Sequence, residues 1–290
     1  MITRFDHAVI AVNDLPRALA RFPAELGLDA QPGGRHTGRG TENGIVRFGL
    51  DYLELMAVYN ADEVAKGRAG GEVLLSLLAR QPGGLLGYAL ATDDIDELAG
   101  RVRAAELNPL GPFAMQRERP DGRVLKWRLL IPGGVSWRRP WPFFIQWDAP
   151  DAERLAWEQP GQHALGVRGV AGVSVLVRDL AKTRELYRRA LGLELVAEDD
   201  VPQLAARRAR FALGPLTIDL LAADGAGAAD TELQAQGEGL FQVTLRGPLA
   251  QASAWLAQVG EVPRPAPGTF DGMLLPSAAA FGARLAVAEG

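Results

Sequence analysis

The chain has 290 residues and a formal net charge of −4, and its 48% of hydrophobic residues is typical of a globular protein. This length is enough for two domains with their own cores, and the acidic balance argues against a non-specific nucleic-acid binder. The chain contains no cysteine, which excludes disulfides, thiolate metal sites and cysteine nucleophiles. It lacks the apolar run of ~20 residues that a membrane helix needs, and it begins in a strand pattern rather than a signal peptide. We therefore expect a cytoplasmic protein with no membrane or nucleic-acid partner.

The amino-terminal stretch predicts one β-α-β-β-β unit. Its first strand covers residues 3–12, where apolar residues follow a strand pattern. A helix follows, capped by Asp14 and ended by Gly27, because Asp is a common N-cap and Gly a common helix stop. The other three strands are predicted at 28–31, 44–50 and 52–58, with a glycine-rich basic segment over 33–40.

A second unit repeats the same order of elements. A connector over 61–84, with one short helix at 72–79, precedes it. The predicted elements are a strand at 86–91, a helix at 95–105, and strands at 110–115, 123–131 and 142–147, with a Pro-Gly turn at 119–122. The polar segment that follows, 149–168, is predicted to be an interdomain linker.

The carboxy-terminal part contains two more units. Their predicted elements are a strand at 169–177, a helix up to 190, strands at 206–213 and 216–222, a strand at 240–246, a helix at 248–259, and strands near 268–275 and 284–288. The Ala- and Gly-rich stretch 224–239 is predicted to be a mobile loop. The first and third units also align by letter, HAVIAVNDL with GVSVLVRDL and ELGLDA with ALGLEL. Because one such unit cannot bury its concave face alone, the repeat predicts an α+β fold of four βαβββ modules paired into two half-barrel domains.

Glu54 is unusual within the last strand of the first unit. Its neighbours in the strand are Tyr52, Leu53, Leu55 and Met56, so the strand is otherwise typical of a core. A buried carboxylate costs free energy unless it is paired, hydrogen-bonded or bound to a metal. Both a satisfied ion pair and a ligand site therefore remain open for this residue.

Several motifs together carry a resemblance to a known family. They are Phe5-Asp6-His7, the run from Gly33-Gly34-Arg35-His36 to Asn43, Arg47-Phe48-Gly49, Tyr52-Leu53-Glu54-Leu55, the turn at 119–122, Trp127-Arg128 and Phe143-Phe144-Ile145-Gln146-Trp147. With them the chain resembles the vicinal oxygen chelate (VOC) superfamily, in particular its glyoxalase-like branch. The match is specific over 3–148 and rests on the repeat over 165–290. It implies a first domain over 1–148, built from modules 3–58 and 85–148, and a degenerate second domain of the same type over 169–290.

The resemblance also implies a metal site. In the superfamily, a divalent metal is held by a side chain from the first strand and one from the last strand of each paired module. Those positions match His7 and Glu54 in the first module, and Gly87 and Gln146 in the second. His7, Glu54 and Gln146 are therefore the expected ligands of a Zn, Mn, Ni or Fe ion. Glu54 is also the candidate catalytic base.

Strand alternation predicts a cavity around these ligands. Its expected wall consists of Phe5, Val9, His36, Asn43, Tyr52, Met56, Trp127 and Phe144. Arg35, Arg39 and Arg47 either favour an anionic substrate or are solvated surface side chains. In the second domain, Gly172 and Asp219 take the positions of His7 and Glu54, so a second metal site is not expected.

Two functions remain open from the sequence, beside a third possibility that both domains are structural and serve assembly. The first is a divalent-metal-assisted isomerase, lyase or related enzyme that acts on a small oxo- or hydroxy-carbonyl compound. The second is a metal-free protein that binds or sequesters a small molecule in the same cavity, which Gly87 favours. We expect no nucleotide cofactor, because no phosphate-binding or dinucleotide fingerprint occurs. The expected partner is a small-molecule ligand, and the chain is expected to be a monomer or a homodimer.

Overall fold

The computed structural model describes residues 1–36, 38–67, 70–119, 121–266 and 272–289. The first half contains β1 (Ile2–Val12), α1 (Leu15–Leu26), β2 (Gln31–His36), β3 (Thr41–Arg47), β4 (Tyr52–Val58), α2 (Ala61–Lys66), α3 (Gly71–Arg80), β5 (Gly83–Thr92), α4 (Ile95–Ala104), β6 (Leu110–Glu118), β7 (Val124–Ile131) and β8 (Phe143–Trp147). The second half contains α5 (Asp151–Trp157), β9 (Gly169–Leu176), α6 (Leu180–Glu185), β10 (Glu194–Val201), β11 (Ala206–Leu213), β12 (Leu216–Ala223), α7 (Ala228–Gln236), β13 (Gly239–Arg246), α8 (Leu249–Gln258), β14 (Arg264–Pro265), β15 (Gly272–Leu274) and β16 (Leu285–Ala288).

The strands form two curled sheets of eight, and each sheet is built from two modules. Their orders are β2-β3-β4-β1-β5-β8-β7-β6 and β10-β11-β12-β9-β13-β16-β15-β14. In each sheet the first strand of one module pairs antiparallel with the first strand of the next, as β1 does with β5 and β9 with β13. The predicted α+β fold of two paired-module, VOC-type half-barrels is confirmed.

The helix starts follow one local rule in three of the modules. Asp14, Asp94 and Asp179 each have an extended backbone and accept a hydrogen bond from the backbone N–H three residues later. This capping satisfies an amide that the first helical turn leaves free. At the other end of α1, Gly27 adopts φ 63°, a left-handed conformation that suits glycine. Helices α1, α4 and α8 pack on the convex faces of the sheets, around Phe22, Leu26 and their neighbours.

A β-bulge in β1 changes which side chains face the cavity. The pairing of β1 with β5 shifts register between Phe5 and His7. As a result Phe5, like Ala8, packs in the core under the helices, whereas His7 lines the concave face. The predicted alternation that grouped Phe5 with His7 is therefore wrong, because an extra residue in a strand reverses the faces on either side of it.

Some predicted boundaries also differ from the structure. The stretch 224–239, predicted as a mobile loop, contains α7, whose Ala229 and Leu233 are buried. The second strand is not at 28–31 but at Gln31–His36, so the glycine-rich segment is part of the sheet. Pro120 of the predicted turn and residues 268–271 of a predicted strand lie outside the described residues.

The segment predicted to be a linker contributes to the core of the first half. It includes α5, on which Arg154 is fully buried. The guanidinium of Arg154 lies over the Trp147 ring, 3.7 Å from its centroid, and contacts Glu158 at 2.6 Å. Among the described helices, none is long and apolar enough to cross a membrane.

Candidate functional site

The concave face of the first sheet, together with α2 and α3, encloses a cavity of about 140 Å³. Much of its wall is apolar or aromatic and includes Tyr52, Met56, Leu74, Met115, Trp127, Leu129, Ile131, Trp137, Phe143, Ile145 and Trp147. The polar side chains that line it are His7, His36, Arg39, Thr41, Asn43, Glu54, Arg117, Ser136 and the edges of the aromatic residues. A largely apolar cavity with a few convergent polar groups is the usual form of a small-molecule site.

Glu54 lies on β4, among the polar groups of the cavity, and is 6% exposed. The amide of Asn43 donates a hydrogen bond to its Oε1 at 2.5 Å. His36 Nε2 is 3.4 Å from the same oxygen, and His7 Nε2 is 3.6 Å from Oε2. Within the described part of the chain, no arginine or lysine forms an ion pair with this carboxylate. Its charge is therefore surrounded by one neutral amide and two imidazoles.

His7 is held firmly on the adjacent strand. Its Nδ1 lies 2.8 Å from Asp6 Oδ1, and its ring stacks on Tyr52 with centroids 4.6 Å apart. Phe143 contacts the same imidazole with its edge. A carboxylate can only accept, so Nδ1 of His7 carries the proton and donates it to Asp6. In a neutral ring, Nε2 then presents its lone pair towards Glu54.

Asp6 is the buried anion behind His7. It also accepts hydrogen bonds from Arg4 Nη1 at 2.7 Å and from Trp147 Nε1 at 2.9 Å. Burial alone would raise the pKa of Asp6, but the hydrogen bond with His7 and the charges of Arg4 and Arg154 lower that pKa well below its ordinary value. Asp6 is therefore ionised at neutral pH and favours a single tautomer of His7.

His36 approaches Glu54 from the other side. It is the last residue of β2, and its Nδ1 lies 2.9 Å from Thr41 Oγ1. Burial lowers the pKa of His36, and the charges of Arg117 and Arg39 lower it further against the opposing effect of Glu54. The imidazole is consequently neutral at pH 7 and can accept or donate a proton in the cavity.

The arrangement does not match the metal site that the resemblance implies. Gln146 is turned to the opposite face of β8, where it donates to Asp93 O at 2.7 Å and accepts from Ile95 N at 3.2 Å. The expectation that Gln146 is a ligand is thus wrong, because alternation along β8 gives the cavity face to its odd-numbered residues. Among the residues that the structure describes, no three His, Cys, Asp or Glu side chains form a group that could hold a metal ion.

The second module supplies aromatic rings where ligands were expected. Strand pairing shows the equivalence, since Glu54 is opposite Val9 on β1 and Phe143 is opposite Ala89 on β5. Phe143 is therefore the counterpart of Glu54. A Cβ at Gly87, the counterpart of His7, would lie 3.6 Å from the Trp137 ring. Phe143 and the ring of Trp137 therefore occupy these two places, while Arg117 of β6 lines the cavity from the same module.

The structure brings most of the remaining predicted wall residues together. His36, Asn43, Tyr52, Met56 and Trp127 all line the cavity. Val9 is on the cavity side of β1 but is covered by the apolar cluster that includes Leu77 and Leu86. Phe5 and Phe144 face the helices instead and belong to the core there.

Several residues of the site were not predicted from the sequence, among them Asp6 and Arg117. Asp6 precedes His7 in an apolar strand, so a buried partner for the imidazole could have been inferred from their adjacency. Arg117 is at the end of β6, the edge strand of the sheet, and is only 7% exposed. Its contact with β2 and β3 depends on closure of the half-barrel, so its position has no local signal in the sequence.

The second sheet offers a direct comparison for Glu54. Asp219 is opposite Ser174 on β9, as Glu54 is opposite Val9 on β1, so it occupies the equivalent position. Asp219 is fully buried and accepts two hydrogen bonds from Arg210, at 2.7 and 2.9 Å. The same position thus carries an ion-paired carboxylate in one sheet and a carboxylate open to a cavity in the other.

These paired βαβββ sheets have the architecture of the VOC superfamily, and the comparisons with known proteins agree. The chain belongs to the glyoxalase-like domain family, whose model matches residues 5–178. A search of the curated proteins finds no match.

Solved structures resemble the chain in fold. A hypothetical protein from Staphylococcus aureus matches with a TM-score of 0.67 and 19% identity, covering 99% of each chain. A mutant of 4-hydroxymandelate synthase from Streptomyces coelicolor matches with a TM-score of 0.68 and 16% identity, covering 99% of this chain and 92% of that one. A methylmalonyl-CoA epimerase from Mycobacterium tuberculosis matches 42% of this chain and 88% of its own, with 25% identity and a TM-score of 0.38. At these identities the first two likenesses establish the fold alone.

Proposed function

We propose that this protein is an enzyme that moves a proton on a small carbonyl compound bound in the cavity of the first sheet. Glu54 is the base. It takes a proton from a carbon next to the carbonyl group, the C–H bond breaks, and its electron pair moves to the carbonyl oxygen to give an enolate. Return of a proton to the same or a neighbouring carbon completes an isomerisation or epimerisation without any change of oxidation state.

The observation that carries this proposal is the isolation of the Glu54 carboxylate. It is nearly buried, it has no arginine or lysine partner among the described residues, and it faces a cavity beside His7 and His36. A structural carboxylate at the same position of the fold, Asp219, is instead paired with Arg210. A carboxylate beside two imidazoles in an apolar cavity is a typical acid–base arrangement.

The proposed chemistry uses side chains alone. The metal-assisted version inferred from the resemblance retains His7 and Glu54 in the cavity but loses Gln146 to the other face of β8. The two imidazoles also approach different oxygens of Glu54, rather than a shared point. VOC proteins commonly use divalent metals, so elemental analysis of protein purified without chelator is the necessary companion measurement.

Hydrogen–deuterium exchange tests the proposal before the substrate is known. The protein is incubated in D₂O with 2-oxo acids, 2-hydroxy ketones and 2-hydroxy acids, and loss of the C–H signal next to the carbonyl is followed by proton NMR. We expect exchange above the buffer rate for at least one class, and a fall of about 100-fold or more in Glu54→Gln, since a general base contributes roughly that factor.

A matched control is available on the neighbouring strand. Glu42 is partly exposed and pairs with Arg35 at 3.2 Å, so Glu42→Gln should leave the exchange rate unchanged. Exchange that persists in Glu54→Gln would contradict the assignment of the base. Exchange that disappears after dialysis against EDTA and returns with a divalent metal would restore the metal-assisted mechanism.

The second candidate function is ligand binding without chemistry. The aromatic wall formed by Trp137 and Phe143 at the expected ligand positions favours it, since it extends the apolar contact area. Tight binding of compounds in the panel with no exchange in any class would support this function over catalysis.

A further inference from the structure

The cavity contains two arginines that the acid–base proposal does not use. Arg117 and Arg39 both line it, on the side of Asn43 and His36. Arg117 is 7% exposed, and the one side-chain hydrogen bond that the described residues give it is from Nη1 to the neutral amide oxygen of Asn43, at 3.1 Å. Arg39 contacts Met115 Sδ at 3.2 Å. Neither forms an ion pair with a described carboxylate.

The other buried arginines of the first half have carboxylate partners. Arg47 contacts Glu158 at 2.7 Å and Arg154 contacts the same carboxylate at 2.6 Å. Taking a guanidinium out of water is costly unless an anion pairs with it. Arg117 therefore differs from these two in that no described carboxylate forms an ion pair with it.

Asn43 keeps the positive and negative side chains of the cavity apart. Its amide nitrogen donates to Glu54 Oε1 at 2.5 Å while its carbonyl oxygen accepts from Arg117 Nη1. The asparagine thus lies between the cation and the anion and keeps them from forming a direct ion pair. A Cβ at Gly33 would collide with the same Asn43 oxygen, so a glycine at this point of β2 leaves room for the arrangement.

We infer that the ligand of this cavity carries a carboxylate, that Arg117 binds it with Arg39 alongside, and that its apolar body packs on Trp127 and Trp137. A guanidinium offers two parallel N–H groups that match a carboxylate, and a partly desolvated pair of this kind is stronger than an exposed one. The inference rests on the proposed use of this cavity, and names the substrate class as small aryl or branched carboxylic acids with an oxygen on the neighbouring carbon.

Matched pairs of acids and amides test the inference. Mandelate, benzoylformate and phenylacetate are each titrated by calorimetry beside mandelamide, benzoylformamide and phenylacetamide. These pairs have nearly the same shape but differ in charge. We expect at least one acid to bind about tenfold or more tightly than its amide, because a charge-assisted hydrogen-bond pair contributes about that much.

The variants locate the preference within the cavity. In Arg117→Gln, the acid-to-amide ratio should fall to about 2 or less, and in Arg117→Lys it should be intermediate because the planar fork is lost. Arg103→Gln, an exposed arginine on α4, should keep the wild-type ratio. Because each ratio is taken within one variant, a general loss of stability does not imitate the result.

Three outcomes overturn the inference. They are equal affinity for acid and amide in the wild-type protein, no binding of any of the acids at millimolar concentration, and an unchanged ratio in the double variant of Arg117→Gln with Arg39→Gln. The readout is independent of proton exchange. Acid-selective binding without exchange would remove the proposed enzyme and leave the carboxylate site, whereas exchange on neutral ketones without acid selectivity would do the reverse.

Discussion

At the scale of single residues, the chemistry of the site depends on which atoms carry protons. Asp6 fixes the proton of His7 on Nδ1, and Asn43 holds one oxygen of Glu54. His36 is the residue whose state depends most on burial, which lowers its pKa. His36 and His7 approach different oxygens of Glu54.

The state of His36 can be measured directly. Because burial lowers the pKa of His36, we expect its imidazole to titrate at a lower pH than that of an exposed histidine, whose pKa is about 6.5. A titration of the imidazole C–H resonances by NMR gives the value, with assignments from His36→Gln and His163→Gln. A His36 resonance that titrates at or above pH 6.5 would contradict the burial described here.

At the scale of elements, the β1 bulge and α5 together build the support for His7. The bulge brings Asp6 and His7 towards the same side of the sheet, and α5 places Arg154 behind them, 3.9 Å from Asp6. Most strand positions and the helices that an aspartate caps followed from alternation, capping residues and the repeat, whereas β2 and α7 did not. The bulge did not, because one inserted residue leaves the sequence pattern of an apolar strand almost unchanged. For the same reason, the alternation expected of a regular strand wrongly predicted Phe5 on the same face as His7.

Lowering the pH should reduce the contribution of Asp6 to the free energy of unfolding. Its pKa is lower in the folded than in the unfolded chain, so its contribution is complete above the unfolded value of about 4 and is lost as the pH falls through and below that value. Asp6→Asn should reduce the free energy of unfolding by about 3 kcal/mol at pH 7, as expected for a broken buried ion pair.

The measurement is urea unfolding of both proteins between about pH 7 and pH 3. The gap between them should be widest at neutral pH and should begin to narrow below about pH 4, as the carboxyl of the unfolded chain becomes protonated. Asp62→Asn, an exposed residue of α2, is the control and should show little difference at any pH. If the difference in free energy of unfolding between the wild-type protein and Asp6→Asn does not depend on pH, Asp6 is not the ionised group.

At the scale of the whole molecule, the two sheets are joined through buried polar contacts as well as apolar ones. Tyr88 of β5 and Tyr187, just after α6, form a hydroxyl–hydroxyl hydrogen bond, and Tyr187 also donates to Pro140 O at 2.9 Å. Asp51 accepts from Val170 N at 2.8 Å. The repeat predicted that the modules pair within each sheet. It contained no signal for how one sheet contacts the other, since these contacts join residues about a hundred positions apart.

Removal of one hydroxyl should weaken this junction measurably. Tyr187→Phe leaves Tyr88 and the Pro140 carbonyl without a buried partner, so we expect a loss of about 1–3 kcal/mol in the free energy of unfolding. Tyr59→Phe, at an exposed tyrosine, should change it little. If the Tyr88→Phe and Tyr187→Phe effects are simply additive in the double variant, the two hydroxyls are not coupled.

The cavity has acidic and basic groups on one side and the rings of Trp137 and Phe143 on the other. This arrangement has a stereochemical consequence. A planar enolate bound by its charged end could not present its opposite face to Glu54, because its ring would then lose contact with the aromatic wall. Glu54 would reach it from one side only. Removal and return of the proton through this carboxylate would therefore select one of two mirror-image substrates.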